Sequence, residues 1–220
     1  MDKYLKSFEP AMKSWLAAHY TPEEAAQRWE RTRQLDEKWI REEGTIGGSR
    51  NMMASNLLEA YAFFAFYEAV DRSFTKEDLD TLLNDVMGKK LKWLSKLDFN
   101  RLEKKGWLMR LIYRFMERYV RKADAHRGGD WGNTWKIRLN PKEREKGIAF
   151  AFDTCPLNDF ARRHGYIDFL PNLCAIDQVT CRTMHAALIR HETLAAGDGV
   201  CSYWILGDRD PEALADTGSK

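Results

Sequence analysis

No stretch of this chain has the length or the apolar character needed to cross a bilayer. The most apolar run, Leu57 to Val70, is short and is broken by Glu59 and Glu68. The opening residues MDKYLKSFEP contain acids and no apolar h-region, so a secretory signal is not expected. An excess of one charge is also lacking. Lys and Arg number 35 against 33 Asp and Glu, a net charge of +2. That leaves no broad basic field, and neither nucleic acid nor a membrane is an expected partner. Cysteine is scarce and confined to the last third, at Cys155, Cys174, Cys181 and Cys201. With no signal, these read as reduced thiols in a cytoplasmic protein and not as a disulfide framework.

Familiar motifs are missing too. There is no phosphate-binding loop with a following Lys, no dinucleotide fingerprint, no HExxH, no CxxC and no GxSxG elbow. The cysteine gaps are too wide for a zinc knuckle, whose ligands pair two to four residues apart. No cofactor and no metal are expected.

What is present is ordinary globular composition, 44% hydrophobic and 31% charged over 220 residues. Eight Trp, eight Tyr and eleven Phe suffice to furnish a core and line a pocket. One domain over 1–220 is expected. It comprises a helical part to about 125, an α+β part over 126–207, and a polar, frayed tail from Asp208.

The first part reads as helices throughout. Thr21-Pro22-Glu23-Glu24 is a start signal: Thr as N-cap, Pro at the first helical position, and acids at the positive helix end. That helix is predicted to run to Glu43, where Gly44 to Gly48 stops it. A second begins near Ser49 and carries Leu57, Leu58, Tyr61, Phe64 and Ala65 at helical spacing. Thr75 to Asp78 resembles a capping box with Asp in place of Glu, opening a helix to about Met87. Leu91 to Leu97 is predicted as a short basic helix. Over Arg101 to Val120, Leu108, Leu111, Ile112, Phe115 and Tyr119 form an apolar stripe beside Arg110, Arg114 and Arg118, which read as a solvated face.

Near residue 126 the period changes to two. Trp135, Ile137 and Leu139 alternate with polar residues, and Ile148, Phe150 and Phe152 alternate with Ala149, Ala151 and Asp153, so each run reads as a strand with one buried face. Helices are predicted over Leu157 to Arg163, ended by His164-Gly165, and over Leu173 to Met184. Ala187 to Leu194 and Val200 to Leu206 make a hairpin around Ala195 to Gly199. The fold class is therefore α+β: an N-terminal helical layer packed on a small antiparallel sheet with a C-terminal β-hairpin.

Polar and thiol residues punctuate these apolar elements. Cys155 follows a strand. Cys174 and Asp177 stand at i,i+3 on one predicted helix. His191 and Thr193 share one strand face, with Arg190 and Glu192 on the other. Cys201 joins the first pair if the loop has three residues and the second if it is a two-residue turn.

Phe152-Asp-Thr-Cys155-Pro, Cys174-Ala-Ile-Asp177 and Arg190-His-Glu-Thr193-Leu-Ala-Ala-Gly197-Asp-Gly-Val-Cys201 together resemble the L-2-amino-thiazoline-4-carboxylate hydrolase family. Several short motifs agree in order, over roughly residues 45 to 207. The last motif departs from the family's usual Asp-Phe-like continuation, with Ser202-Tyr203 in its place. The resemblance implies hydrolytic opening of a cyclic amidine-like or amide-like ring, carboxylate-bearing as in a thiazoline, at a C–N or C–S bond. The hairpin is also similar to small-molecule-binding domains of the vinyl-reductase type, which implies binding without turnover.

The inferred reaction needs a nucleophile, a proton-transfer group and donors for developing negative charge. Cys174 is the expected nucleophile, with a thiol pKa below the free value. Arg190 or a protonated His191 is expected to lower that pKa, Asp177 to move protons or hold the substrate amidinium, and Thr193 to orient water. Arg190 suits a substrate carboxylate, and Cys155 and Cys201 are expected to line the pocket. Cys181 reads as a buried hydrophobe. A thiolate-ligated metal at Cys155, Cys174 and Cys201 is the third alternative.

Overall fold

The computed structural model describes residues 3–90, 94–216 and 218. The chain divides into two compact units, residues 1–90 and 91–220.

The first unit is helical: α1 (Lys3–His19), α2 (Pro22–Glu43), α3 (Ala54–Ala69) and α4 (Lys76–Lys90). The capping signals form as read. Thr21 and Glu24 make a reciprocal capping box at the start of α2. Thr75 and Asp78 do the same before α4, the shorter Asp side chain still reaching the Thr75 backbone N–H at 2.9 Å. A 3-10 turn at Gly48–Arg50 delays α3 to Ala54. The apolar stripe read from the sequence understates α3, which is buried nearly all round, Ala60, Ala62, Phe63 and Phe66 included. A helix apolar on every face is one that neighbours enclose. Here α1 and α2 pack on it, and Trp15, Phe66 and Phe74 meet edge to face.

The second unit holds α5 (Phe99–Leu102), α6 (Gly106–His126), β1 (Lys136–Leu139), β2 (Ile148–Thr154), α7 (Pro156–His164), α8 (Leu170–Cys174), α9 (Ile176–Thr183), β3 (Ala186–Ile189), β4 (Cys201–Gly207) and α10 (Pro211–Ala215). The strands form one antiparallel sheet in the order β1-β2-β4-β3. With helices at the N-terminal end and an antiparallel sheet in the C-terminal part, the fold class is α+β. The unit boundary at 90/91 assigns α6 to the same unit as the sheet, 35 residues before the change of period. The short basic helix predicted over Leu91 to Leu97 lies partly outside the described residues, and what is described of it is a 3-10 turn at Leu94–Lys96.

Pairing fixes the two sheet faces. One face carries Ile148, Leu188, Tyr203 and Ile205 against Leu108, Met109 and Ile112 of α6 and Cys181 of α9. The Tyr113 hydroxyl accepts from the Ala149 N–H at 2.8 Å, tying α6 to β2. Leu111 and Phe115 are exposed, although the sequence stripe included them. The buried side of α6 is centred on Leu108, Met109 and Ile112 instead, and Arg110, Arg114 and Arg118 are solvated as expected. The other sheet face carries Ala149, Ile189, Trp204 and Leu206, with Ala213 of α10. Gly147, in the turn before β2, has φ +72, and a Cβ there would collide with the Ile205 carbonyl. The tail expected to fray from Asp208 instead forms α10, capped by Asp210, whose carboxylate Lys146 holds at 2.7 Å. Among the described residues no helix is long and apolar enough to cross a membrane.

Candidate functional site

The helix expected over Leu173 to Met184 is in fact two, breaking at Ala175. In a continuous helix the Gln178 N–H would bond the Cys174 carbonyl; here it donates to Ala175 O at 3.0 Å. The freed Cys174 carbonyl accepts from Arg190 Nη2 at 3.0 Å. Arg190 follows β3, where Ile189 pairs with Trp204, so it lies across from Tyr203. Its Nη1 donates to Asp177 Oδ2 at 3.1 Å and to the Tyr203 hydroxyl at 3.2 Å. The Tyr203 hydroxyl donates to the same Asp177 oxygen at 2.8 Å.

Cys201, two residues before Tyr203 on β4, shares that sheet face, which settles the hairpin register in favour of Arg190. The connection is neither of the two short turns considered. Pairing stops at Ile189, and a 3-10 turn at Leu194–Ala196 lies in the loop. Cys155 stands at the N-cap of α7, and its thiol faces the N–H groups of Leu157 and Asn158 and the Trp135 indole. Cys201 Sγ accepts from the Leu194 N–H at 3.1 Å. Three thiols from three elements thus lie within one another's electrostatic reach. All four cysteines are free.

Burial decides their charge. It pushes the Cys155 thiol from the ordinary 9.0 up to about 12, overriding its backbone and indole donors. The Cys174 thiol is likewise pushed up to about 12, and the positive charge of Arg190 only partly offsets this. Cys201 is raised by burial as well. The lowered thiol pKa expected from sequence is therefore corrected. The cluster's thiols are neutral near pH 7.

Asp177 is the carboxyl of the cluster. Its side chain keeps 49% of its surface accessible, yet burial raises its pKa, against the hydrogen bond from Tyr203 and the charge of Arg190. Oδ2 takes both donors, and among the described residues nothing donates to Oδ1. Arg190 keeps its charge although burial opposes it, because Tyr203, Asp177 and Cys174 face it. At 2% exposed, its guanidinium positions Asp177 and Cys174 and does not open toward a ligand.

His191 and Thr193 do not join the cluster. His191 lies on the opposite sheet face, with Nε2 3.1 Å from Asp216. Thr193 is buried as a cap, its hydroxyl accepting from the Ala196 N–H. Cys181 sits in the core under the sheet, as read. Tyr203 was missed by sequence reasoning, although it falls where the chain departs from the Asp-Phe-like continuation. Among the described residues no group of three or more His, Cys, Asp or Glu is arranged to hold a metal ion.

Residues 55–205 match the family model described as L-2-amino-thiazoline-4-carboxylic acid hydrolase. The chain belongs to this family. Neither a curated protein nor a solved structure matches it. As a member of the L-2-amino-thiazoline-4-carboxylic acid hydrolases, the chain is a hydrolase. Cys155, Cys174, Asp177, Arg190, Cys201 and Tyr203, the cluster just described, all fall inside the matched span.

Proposed function

We propose that the protein hydrolyses a small cyclic amidine-like substrate of the thiazoline type, bearing a carboxylate, through the Cys174 thiol. The observation that supports this most is a neutral thiol within electrostatic reach of a carboxylate whose second oxygen is unspent, the two lying three residues apart across the break at Ala175. A cationic amidine suits Asp177 Oδ1 through a charge-assisted pair. Its positive charge lowers the thiol pKa at the moment of need.

The reaction balances without a cofactor. The Cys174 sulfur bonds to the amidine carbon, the ring C–S bond breaks, and the thiol proton passes through Asp177 to the departing ring sulfur. Water then adds to the resulting isothiourea carbon and the Cys174 S–C bond breaks. One water proton returns to the Cys174 sulfur and the other goes to the amidine nitrogen. The product is a carbamoyl-cysteine. The N–H donors around Cys155 stabilise negative charge as it develops.

The test is incubation with 2-amino-thiazoline-4-carboxylate and related heterocyclic carboxylates, with mass spectrometry of product and protein and metal analysis on the same sample. Turnover with a transient adduct on Cys174 is expected. Binding without turnover across the panel makes the chain a small-molecule-binding domain, and stoichiometric zinc makes it a metalloprotein.

A further inference from the structure

On the sheet face opposite the thiols lies a hollow of about 290 Å³. Its floor follows from the register. Arg138 pairs with Ala151, and Ala151 with Ser202. Next to this row lie Ala149, Trp204 and Ile189. Ala149 and Ala151, in succession on this face of a central strand, form a floor that is itself buried. The walls carry Arg138, Lys142, Arg144 and His191, with the acid Glu192 among them.

These walls are held in place before any ligand arrives. Asn140 clasps the turn that carries Lys142 and Arg144, its side chain accepting from the Arg144 N–H at 2.8 Å and donating to the Arg144 carbonyl at 3.0 Å. The Trp204 indole donates to the Lys146 carbonyl at 3.0 Å. The Arg144 guanidinium lies over the Trp204 ring, 3.9 Å from its centroid. Arg138 is matched by Asp153 and Lys142 by Glu192. Among the described residues Arg144 has no carboxylate partner.

The geometry points to a second ligand site, one that takes a small, flat organic carboxylate. Its body sits in the hollow over Ser202, and its carboxylate meets the forked donors of Arg144, whose guanidinium covers the Trp204 ring. The volume lies at the small end for ligand pockets, which excludes nucleotides and other large anions. The site is separate from the thiol cluster. Along β4 the side chains of Ser202 and Trp204 alternate with those of Cys201 and Tyr203, so the two sites use opposite faces of one strand, with Tyr203 also bordering the hollow.

Calorimetric titration with benzoate tests this, with inorganic phosphate as the comparison anion. Saturable binding of one benzoate per chain is expected, unchanged in Cys174→Ala. Arg144→Met keeps the apolar stem and should weaken it at least tenfold, and Ala151→Leu should weaken it by filling the floor. Arg144 is exposed, so its variant reports even where Ala151→Leu fails to fold. No saturation in the millimolar range overturns the proposal. So does equal binding of phosphate, or binding lost in Cys174→Ala but kept in Arg144→Met. None of these outcomes depends on turnover of a thiazoline.

Discussion

The Tyr203 hydroxyl donates to Asp177 Oδ2 at 2.8 Å, joining β4 to α9. This bond favours the charged carboxylate, so its loss raises the Asp177 pKa further. In Tyr203→Phe the acid limb of the pH–rate profile should move to higher pH. A hydrogen bond to a charged group is worth about 1.5–3 kcal/mol, so kcat/KM should fall by roughly ten- to a hundredfold. An unshifted acid limb would show that Asp177 does not titrate in the reaction.

Arg190 serves three acceptors at once: Asp177, the Tyr203 hydroxyl and the Cys174 carbonyl. Lys has the charge but not the planar fork, and cannot reach all three. Arg190→Lys should leave the buried Cys174 carbonyl unsatisfied and cost about 1–3 kcal/mol in urea denaturation. The Asp177 contact adds little, since that side chain is half open to solvent. Because both site residues lose their alignment, kcat should drop with KM less affected. A variant as stable and active as the parent would remove Arg190 from the positioning role.

What the sequence disclosed was local. Thr21-Pro22 and Thr75-Asp78 announce helix starts because a cap is satisfied within four residues. The alternation in Ile148 to Phe152 announces β2 because each side chain meets its own face. The break at Ala175 was illegible, since its partner is Arg190, on another element. The sides taken by His191 and Arg190 depended on a register that the loop from Arg190 to Val200 sets, and short-turn rules do not cover that loop. Leu111 and Phe115 matched a stripe that tertiary packing centres elsewhere on α6. The cluster could thus be named from motifs, but Tyr203's part in it required the pairing of β4.

Raised thiol pKa values carry a signature at alkaline pH. In the unfolded chain the thiols ionise from the ordinary 9.0, whereas Cys155, Cys174 and Cys181 in the fold hold their protons up to about 12. Their contribution to stability is complete below about pH 9 and is lost as the pH rises toward 12, because the unfolded state then binds fewer protons. The buried Cys181 thiol costs up to about 1.4 kcal/mol per pH unit in that window, and the half-buried Cys155 and Cys174 cost less. Urea midpoints for the parent should fall more steeply between pH 9 and 11 than those of Cys181→Ala, with both compared at equal ionic strength. Parallel curves would mean that Cys181 ionises as freely in the fold as in the open chain.

The four cysteines should separate by function. Cys174→Ala should lose activity by several orders of magnitude, since nucleophilic catalysis goes with it, at little cost in stability because the residue is only half-buried. Cys181→Ala should do the reverse. It sits among Phe99, Met109, Ala186 and Leu188, so truncation opens a small void costing about 1 kcal/mol while turnover stays near the parent's. Cys155→Ala and Cys201→Ala remove neighbours of the reacting sulfur and should be impaired without being dead. Because burial keeps the thiols neutral, iodoacetamide labelling of the unliganded protein should be slow at pH 8 and still accelerating at pH 10. A positively charged amidine that cannot be hydrolysed, bound at Asp177, should speed labelling of whichever sulfur faces it. If Cys155→Ala or Cys201→Ala is the inactive variant and Cys174→Ala turns over, the nucleophile is reassigned within the same cluster. If all three remain active, the sulfur chemistry fails, and water activated by Asp177 becomes the mechanism that the geometry leaves standing.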